Sequence, residues 1–373
     1  MPSYLSADDL GTSLALRDLS DPAQGEHALQ LLLDAVTVSL TETWGVPATT
    51  VRSNPLVAVE DNYDRLGFDA SAVTRDQRYS RYVSDTVMLR THTSAMIPPL
   101  LRALAGGDSG GDHDRLYVLP GLVYRRDSID RTHVGEPHQV DLWRVSNGAR
   151  MGKDDLDGML SALVDAVLPG ARWRAVPAVH PYTTGGYQLD VQVEGDWLEL
   201  AECGLIEPGL LLRSGLDPSV WSGLALGMGL DRALMLRKRI DDIRLLRSTD
   251  PRIEEQMVDL RSWRPVSSMP AVSRDISVVV NRDDDKETIG DRIRAALGID
   301  ATSIESVQVL ATTASELLPE GAQKRLGIRP GQLNALIRIT LRPLDRTLTD
   351  EEANALRNRA YLAVHRGPHL ELI

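Results

Sequence analysis

Cysteine is almost absent from this 373-residue chain, which has only Cys203. One thiol excludes an internal disulfide framework and fits a reducing compartment. Runs of some twenty apolar residues are also lacking, and no early stretch has the charged, apolar and small-residue order of a signal peptide. The expectation is a soluble cytoplasmic protein with no membrane partner. Excess positive charge is missing as well, because the net charge is −12, which argues against indiscriminate nucleic-acid binding. The deficit is uneven. From Ser262 onward the chain holds 15 basic and 15 acidic residues, so the first 261 residues carry all of the −12.

What is present is an ordinary globular composition, 42% hydrophobic and 25% charged, long enough for two or three domains. Residues 1–25 are polar and weakly periodic and read as a loose N-terminal arm. Apolar spacing predicts helices over 27–44, 154–168, 288–297 and 350–365, and an amphipathic helix that begins near Ser94. The glycine-rich loop at 106–111 has neither a preceding strand nor a following Lys-Ser/Thr and reads as a linker. Alternating strands are predicted at 116–119, 121–125, 138–144, 187–193 and 197–201. Several strands with sparse helices indicate an antiparallel sheet and not a βαβ arrangement. Two prolines and a serine pair at 262–270 mark a boundary. Beyond it the order β-α-β-β-α-β, ending on a strand at 370–373, is a split βαβ, ferredoxin-like plan. The fold class is therefore α+β, with domains at 26–261 and 262–373 after the arm.

Chemistry gathers in four stretches. Ser222-Gly-Leu-Ala-Leu-Gly-Met-Gly-Leu-Asp-Arg232 brings glycines 223, 227 and 229 to the mouth of an apolar helix that bears one arginine. That pattern means either close passage of a flat ligand or tight packing. Arg90-Thr-His-Thr-Ser94 puts hydroxyls and an imidazole at a helix start, as a polar cradle or a simple N-cap. If the extended chain of the strand at 121–125 runs on, Arg125 and Asp127 share a face, as do Gln139 and Asp141 further on. These would meet a phosphate or carboxylate and an ammonium group, or else form a cross-strand ion ladder. Glu199, opposite Leu198 and Leu200, is either a carboxylate for Mg²⁺ or a solvated strand face.

Taken in order, these stretches resemble a known family. Gly121-Leu-Val-Tyr-Arg-Arg-Asp-Ser-Ile-Asp-Arg-Thr-His133 with Pro137-His-Gln-Val140 is similar to motif 2 of the catalytic chain of phenylalanyl-tRNA synthetases. Trp197-Leu-Glu-Leu-Ala-Glu-Cys-Gly204, the 223–232 stretch and Ile240-Asp-Asp-Ile-Arg244 resemble the segments leading into and through motif 3. Leu89-Arg-Thr-His-Thr-Ser94 matches the amino-acid-binding segment. Ala271-Val-Ser-Arg-Asp-Ile-Ser-Val-Val279 and Asp345-Arg-Thr-Leu-Thr-Asp-Glu-Glu352 are similar to the ferredoxin-fold anticodon-binding domain.

The resemblance implies a class II synthetase core, an antiparallel sheet flanked by helices, in a single chain that also carries its anticodon domain. It implies ATP and Mg²⁺ as cofactors, and an amino acid and a tRNA (tRNA-Phe) as partners, in a monomer or homodimer. Arg125 and Arg232 would be catalytic arginines on the α- and γ-phosphate ends of ATP, with Gly227, Gly229 and His133 also at the nucleotide. His92, Ser94, Gln139, Asp141, His180, Tyr182 and Ala225 would hold the amino acid, and Glu199 the metal. On the residues alone, Arg274 and Arg346, with Arg325 and Arg338, either contact RNA backbone or form ordinary surface salt bridges. Two other functions stay open: transfer of the activated amino acid to a small molecule or carrier, and a non-catalytic RNA-binding regulator.

The chain departs from the family mainly in one place. Where the family has Phe-Pro-Phe and then Thr-Glu-Pro-Ser, it has His180-Pro-Tyr-Thr-Thr-Gly-Gly186, and its one phenylalanine is Phe68. Ala225-Leu-Gly227 replaces Ala-Phe-Gly, Ala201-Glu202 replaces Leu-Gly, and Asp231 stands in place of a glutamate. A pocket lined by imidazole and phenol accommodates polar groups better than one lined by phenylalanine. The amino acid is thus either phenylalanine, on which His180 and Tyr182 also stack, or a more polar one.

Overall fold

The computed structural model describes residues 4–72, 75, 80–107, 113–266 and 269–370. The linker expected at 106–111 and the last strand at 370–373 lie largely outside them. Contacts divide the chain into two units. The first is 1–125, 136–240 and 255–263, and the second is 126–135, 241–254 and 264–373. Two segments thus depart from the single boundary expected near 262. Among the described residues no helix is long and apolar enough to cross a membrane.

In chain order the first unit contains α1 (Ala7–Leu14), α2 (Ala28–Trp44), β1 (Ala48–Thr50), β2 (Leu56–Ala58), β3 (Val87–Leu89), α3 (Ile97–Gly106), β4 (Asp114–Leu122) and β5 (His138–Ser146). There follow α4 (Lys153–Val167), β6 (Trp173–Pro177), β7 (Thr183–Val193), β8 (Asp196–Ile206), α5 (Pro208–Arg213), β9 (Ser222–Gly229) and α6 (Leu230–Lys238). Helix α2 starts where the His27 ring accepts from the Leu29 amide and stops at Gly45 in the left-handed region. Its buried face is Leu29, Leu32, Leu33, Val36 and Leu40.

Seven strands form one sheet in the order β1-β4-β5-β9-β8-β7-β6, antiparallel except for the parallel β1–β4 edge. Helices α2, α4 and α6 pack on one another and on the sheet. On the face that carries Trp143 and Ala225, an apolar cluster joins these to Tyr117, Ile97, Leu101, Leu210 and Trp221. Strand β4 is continuous through Pro120 and Gly121 instead of breaking there. Gly121 has φ 153°, and a Cβ on it would collide with the Arg90 guanidinium, so glycine is required by close approach.

The described residues of the expected loose arm, 4–25, are docked. Tyr124 donates its hydroxyl to the Ser13 carbonyl at 3.1 Å. The Leu19 amide donates to His138 Nε2 at 2.9 Å, and Leu5, Leu10 and Leu16 cover Leu89, Leu122 and Tyr124. Scattered leucines too sparse for a periodic signal are enough to close a small apolar patch.

The second unit contains α7 (Pro251–Glu254), β10 (Val272–Asn281), α8 (Lys286–Leu297), β11 (Ile304–Ala314), α9 (Glu320–Leu326), β12 (Gln332–Leu341) and α10 (Asp350–Val364). Its strands pair antiparallel in the order β10-β12-β11, as the first three strands of a split βαβ plan do. Thr349 and Glu352 cap α10 reciprocally. Segment 126–135 belongs here because Ile129 enters the apolar core of this unit. Arg294 donates to the Asp127 and Ser128 carbonyls, and Arg131 pairs with Asp241 and Glu305.

Candidate active site

Antiparallel partners project their side chains to the same face of a sheet. The ladders therefore set Asp141 opposite Gly227 and Gly227 opposite Glu202, with Trp143, Ala225 and Gly204 in the next row and Gln139 and Gly229 in the row before. With strands about 4.8 Å apart, Asp141 and Glu202 stand about 10 Å from each other across a strand that presents only Ala225, Gly227 and Gly229. The result is a trough with a small-residue floor, walled by β5 and β8.

The three glycines of the sequence motif do different things. A Cβ on Gly223 would overlap the Arg144 carbonyl oxygen, so this glycine is needed for packing. A Cβ on Gly227 or Gly229 would meet only Gln139 Nε2 at 3.8 Å or the Arg232 Cβ at 3.9 Å, ordinary contacts, and neither glycine has a positive φ. Among the described residues no contact requires glycine at these two positions, so the strand is bare there without a packing reason.

One wall is highly ordered. Asp141 is 1% exposed and accepts from Thr93 Oγ1 (2.5 Å), Ser94 Oγ (2.8 Å) and Trp143 Nε1 (2.9 Å). Burial pushes its carboxyl up, against the lowering effect of these donors and of Arg125. Gln139 Oε1 accepts from the Thr93 amide at 3.2 Å. Arg125 does not lie in a strand, since β4 ends at Leu122; its Nε is fixed on the Thr91 carbonyl at 2.8 Å. The rotamer of Thr91 is in turn held by Asn62, which accepts from the Thr91 amide and donates to its hydroxyl. Asn62 lies in a single π-helical turn, Glu60–Asp64, of a kind common at functional sites.

His92 stacks on Phe68 at 5.6 Å, and its two ring nitrogens are buried with no side-chain hydrogen-bond partner among the described residues. Burial, and secondarily Arg125, lowers its pKa to about 3, so the imidazole is neutral. Phe68 also meets Tyr182, which stacks on Trp143 at 6.0 Å. The inner end of the trough is thus aromatic.

The other wall contains a surprise. The β7–β8 ladder pairs Leu189 with Ala201 and Asp190 with Glu199, leaving Leu200 as an extra residue. This bulge shifts the alternation and brings Glu199 and Glu202 to the same face. His180 Nε2 lies 2.9 Å from Glu202 Oε2. The bond raises the His180 pKa and lowers that of Glu202. Glu199 is raised by burial and then by the charge of Glu202, and lowered by Arg232. A carboxylate held beside a second negative charge suits Mg²⁺, which takes one or two protein carboxylates together with phosphate oxygens.

Arg232 opens α6 and is exposed, with no hydrogen bond or ion pair among the described residues. Its neighbour Asp231 is 4% exposed and binds both the His138 amide (2.9 Å) and His138 Nδ1 (2.7 Å). Because Nε2 of that ring accepts from Leu19, Nδ1 carries the proton and donates to Asp231. The link fixes the start of α6 to the start of β5, hence Arg232 relative to Gln139.

The sequence candidates thus fall into two groups. His92, Ser94, Arg125, Gln139, Asp141, His180, Tyr182, Glu199, Ala225, Gly227, Gly229 and Arg232 all lie in the first unit. His133 lies in the second unit, where Asp130 binds its ring at 2.8 Å. Arg274 is paired with Asp350, Arg346 with Glu352 and Arg338 with Asp275. Sequence reasoning missed Asn62, Thr93, Trp143 and the His138–Asp231 link. Glu202 was visible only as a departure from the family pattern.

A class II synthetase core is what this sheet and trough define. The family profile for tRNA synthetases class II core domain (F) matches residues 23–257, and the chain belongs to that family. A chloroplastic/mitochondrial phenylalanine–tRNA ligase of Arabidopsis thaliana is 31% identical over 335 residues, 86% of this chain and 71% of the relative. The phenylalanine–tRNA ligase alpha subunit of Prochlorococcus marinus (strain MIT 9313) is 36% identical over 243 residues, 64% of this chain and 69% of the relative. A solved pyrrolysyl tRNA synthetase of Desulfitobacterium hafniense is 18% identical, with a TM-score of 0.45, over 59% of this chain and 73% of that one.

Proposed function

We propose that the chain activates an amino acid with ATP and passes it to a tRNA, as an aminoacyl-tRNA ligase of the phenylalanine–tRNA ligase type. The observation that carries this reading is the bare Gly227–Gly229 floor, which has no packing reason among the described residues, between Asp141 and Arg232. The amino-acid carboxylate attacks the α-phosphorus of ATP; the new P–O bond forms as pyrophosphate leaves. A ribose hydroxyl of the tRNA then takes the acyl group and AMP departs.

In this reading Arg125 neutralises the α-phosphate and Arg232 the γ-phosphate end, each as a planar donor fork. The nucleotide lies on Gly227 and Gly229. Asp141 and Gln139 receive the ammonium group, with Thr93 and Ser94 holding Asp141 in place. His92, neutral and with no side-chain partner among the described residues, offers a ring nitrogen to the amino acid. Glu199 would hold Mg²⁺, whose contribution when bound is neutralisation of phosphate charge. Positioning and charge complementarity carry the rate, with no covalent enzyme intermediate. In the second unit Arg274 and Arg346 would exchange their acid partners for RNA phosphates, which makes tRNA affinity fall steeply with salt.

Amino-acid-dependent ATP–pyrophosphate exchange tests the first step. Acylation measured with and without tRNA tests the second and separates tRNA from a small-molecule or carrier acceptor. ATP binding without exchange for any amino acid would overturn the activation reading and favour a non-catalytic regulator.

A further inference from the structure

The wall opposite Asp141 carries, beside Glu199, a polar pair to which the activation chemistry gives no substrate contact. His180 and Glu202 pair at 2.9 Å, and the two residues come from different strand ends: His180 from the turn between β6 and β7, Glu202 from β8. The His180 side chain is largely covered, at 14% exposure, whereas the Glu202 side chain is 42% open. The pair stands where the amino acid must extend. The His180 ring lies 5.9 Å from that of Tyr182, Tyr182 lies against Trp143 and Phe68, and Glu202 shares a transverse row with Asp141. Among the described residues Glu202 Oε1 has no partner, since the contact with His180 is through Oε2 alone.

A hydrocarbon ring laid over this pair would remove water from a carboxylate oxygen and give nothing in return. A substrate group with an N–H or O–H would instead form a charge-assisted hydrogen bond there. The sequence points the same way: His180 and Glu202 are both departures from the family pattern, and the structure shows them bonded to each other. Two changes that meet in one ion pair are a single altered feature of the pocket, and not scattered drift.

We infer that the side-chain pocket selects an α-amino acid whose side chain carries a hydrogen-bond donor, received by the His180–Glu202 pair, in preference to phenylalanine. This rests on the activation reading above and specifies its substrate. Selectivity follows from the cost of an unmet buried group: a site built to bond a substrate hydroxyl or amine rejects the analogue that lacks it by roughly 10⁴-fold at best. Exposure of Glu202 reduces that ratio, and at least tenfold is expected here.

The test is ATP–pyrophosphate exchange by the full chain with phenylalanine, with ring-bearing donors (tyrosine, meta-hydroxyphenylalanine, para-aminophenylalanine) and with non-aromatic donors (asparagine, lysine). The expected result is kcat/KM at least tenfold above phenylalanine for one or more donor-bearing amino acids. Glu202→Gln should shrink that advantage, and the paired change His180→Phe with Glu202→Gly should reverse it toward phenylalanine. Phenylalanine as the best substrate of the unaltered chain, or an advantage untouched by Glu202→Gln, overturns the inference. Should no amino acid support exchange, the activation reading fails on its own. Calorimetric binding of the same amino acids in the presence of ATP then decides selectivity separately: tighter binding of donor-bearing side chains supports the inference, and equal or tighter binding of phenylalanine overturns it.

Discussion

The floor and the walls of the trough in the first unit are built on opposite principles. On the floor the protein withholds groups: Gly227 and Gly229 present no side chain although a Cβ would fit, and Arg232, at the start of α6, has no ion-pair partner among the described residues. On the walls most groups already have partners: Asp141 accepts three bonds, Tyr182 stacks on Trp143 and His180 is paired with Glu202. A ligand that brings its own charge needs an empty, positively flanked floor. A ligand that must be told from its analogues needs walls whose polar groups are held in place beforehand. His92 is the exception, with no side-chain partner for its ring nitrogens among the described residues.

The largest effect that would break this contrast is at Arg232. Arg232→Ala should reduce kcat/KM for pyrophosphate exchange by roughly 10²–10³, about 3–4 kcal/mol of transition-state stabilisation, with no change in the unfolding midpoint. A drop in stability of comparable size would mean that the arginine is structural. Next are the glycines. Gly223→Ala should cost about 3 kcal/mol of stability, because its Cβ enters a backbone carbonyl. Gly227→Val should leave urea unfolding within about 1 kcal/mol and still lower exchange roughly 10²-fold. Equal behaviour of the two variants would erase the distinction between a packing glycine and a floor glycine.

His92 sharpens the comparison through pH. Its folded-state pKa of about 3 lies below the ordinary imidazole value, so the unfolded chain takes up the proton first as pH falls. Stability due to the neutral ring is complete above about pH 6.5 and is lost progressively below it. Between pH 7.5 and pH 5 the unaltered chain should lose about 2 kcal/mol more than His92→Gln, read from denaturant unfolding at each pH. Identical pH profiles would show that the ring is solvated. The smallest effect is expected at Asp231. Asp231→Asn should cost about 1–2 kcal/mol and raise the KM for ATP through displacement of Arg232. A loss of stability without a change in that KM would restrict the His138–Asp231 link to folding.

Much of the site was legible from residue types and spacing. Alternation placed Gln139 with Asp141, the glycine run placed a bare strand before a helix, and the helix periods at 27–44 and 350–365 needed only apolar spacing. Local patterns are readable because one strand or helix repeats at a known period. They fail where a partner alters the period. Glu199 and Glu202 are three apart, which in a regular strand means opposite faces, until the extra residue Leu200 in the β7–β8 ladder turns them together. Arg125 reads as a strand residue beside Asp127, yet the strand ends at Leu122 and the chain continues into a segment that includes Ile129 in a different core. His133 belongs to that segment and binds Asp130.

By itself, then, the sequence determined the strand faces, the order of the motifs, the arginine at the helix mouth and the residue types available for phosphate, ammonium and metal. Only the tertiary structure decided which glycine is packing and which is floor, which carboxylates share a wall, and that two altered residues 22 positions apart in sequence form one ion pair. The physical reason is that register, bulges and cross-strand neighbours are set by pairing between distant segments, and no single segment carries that information.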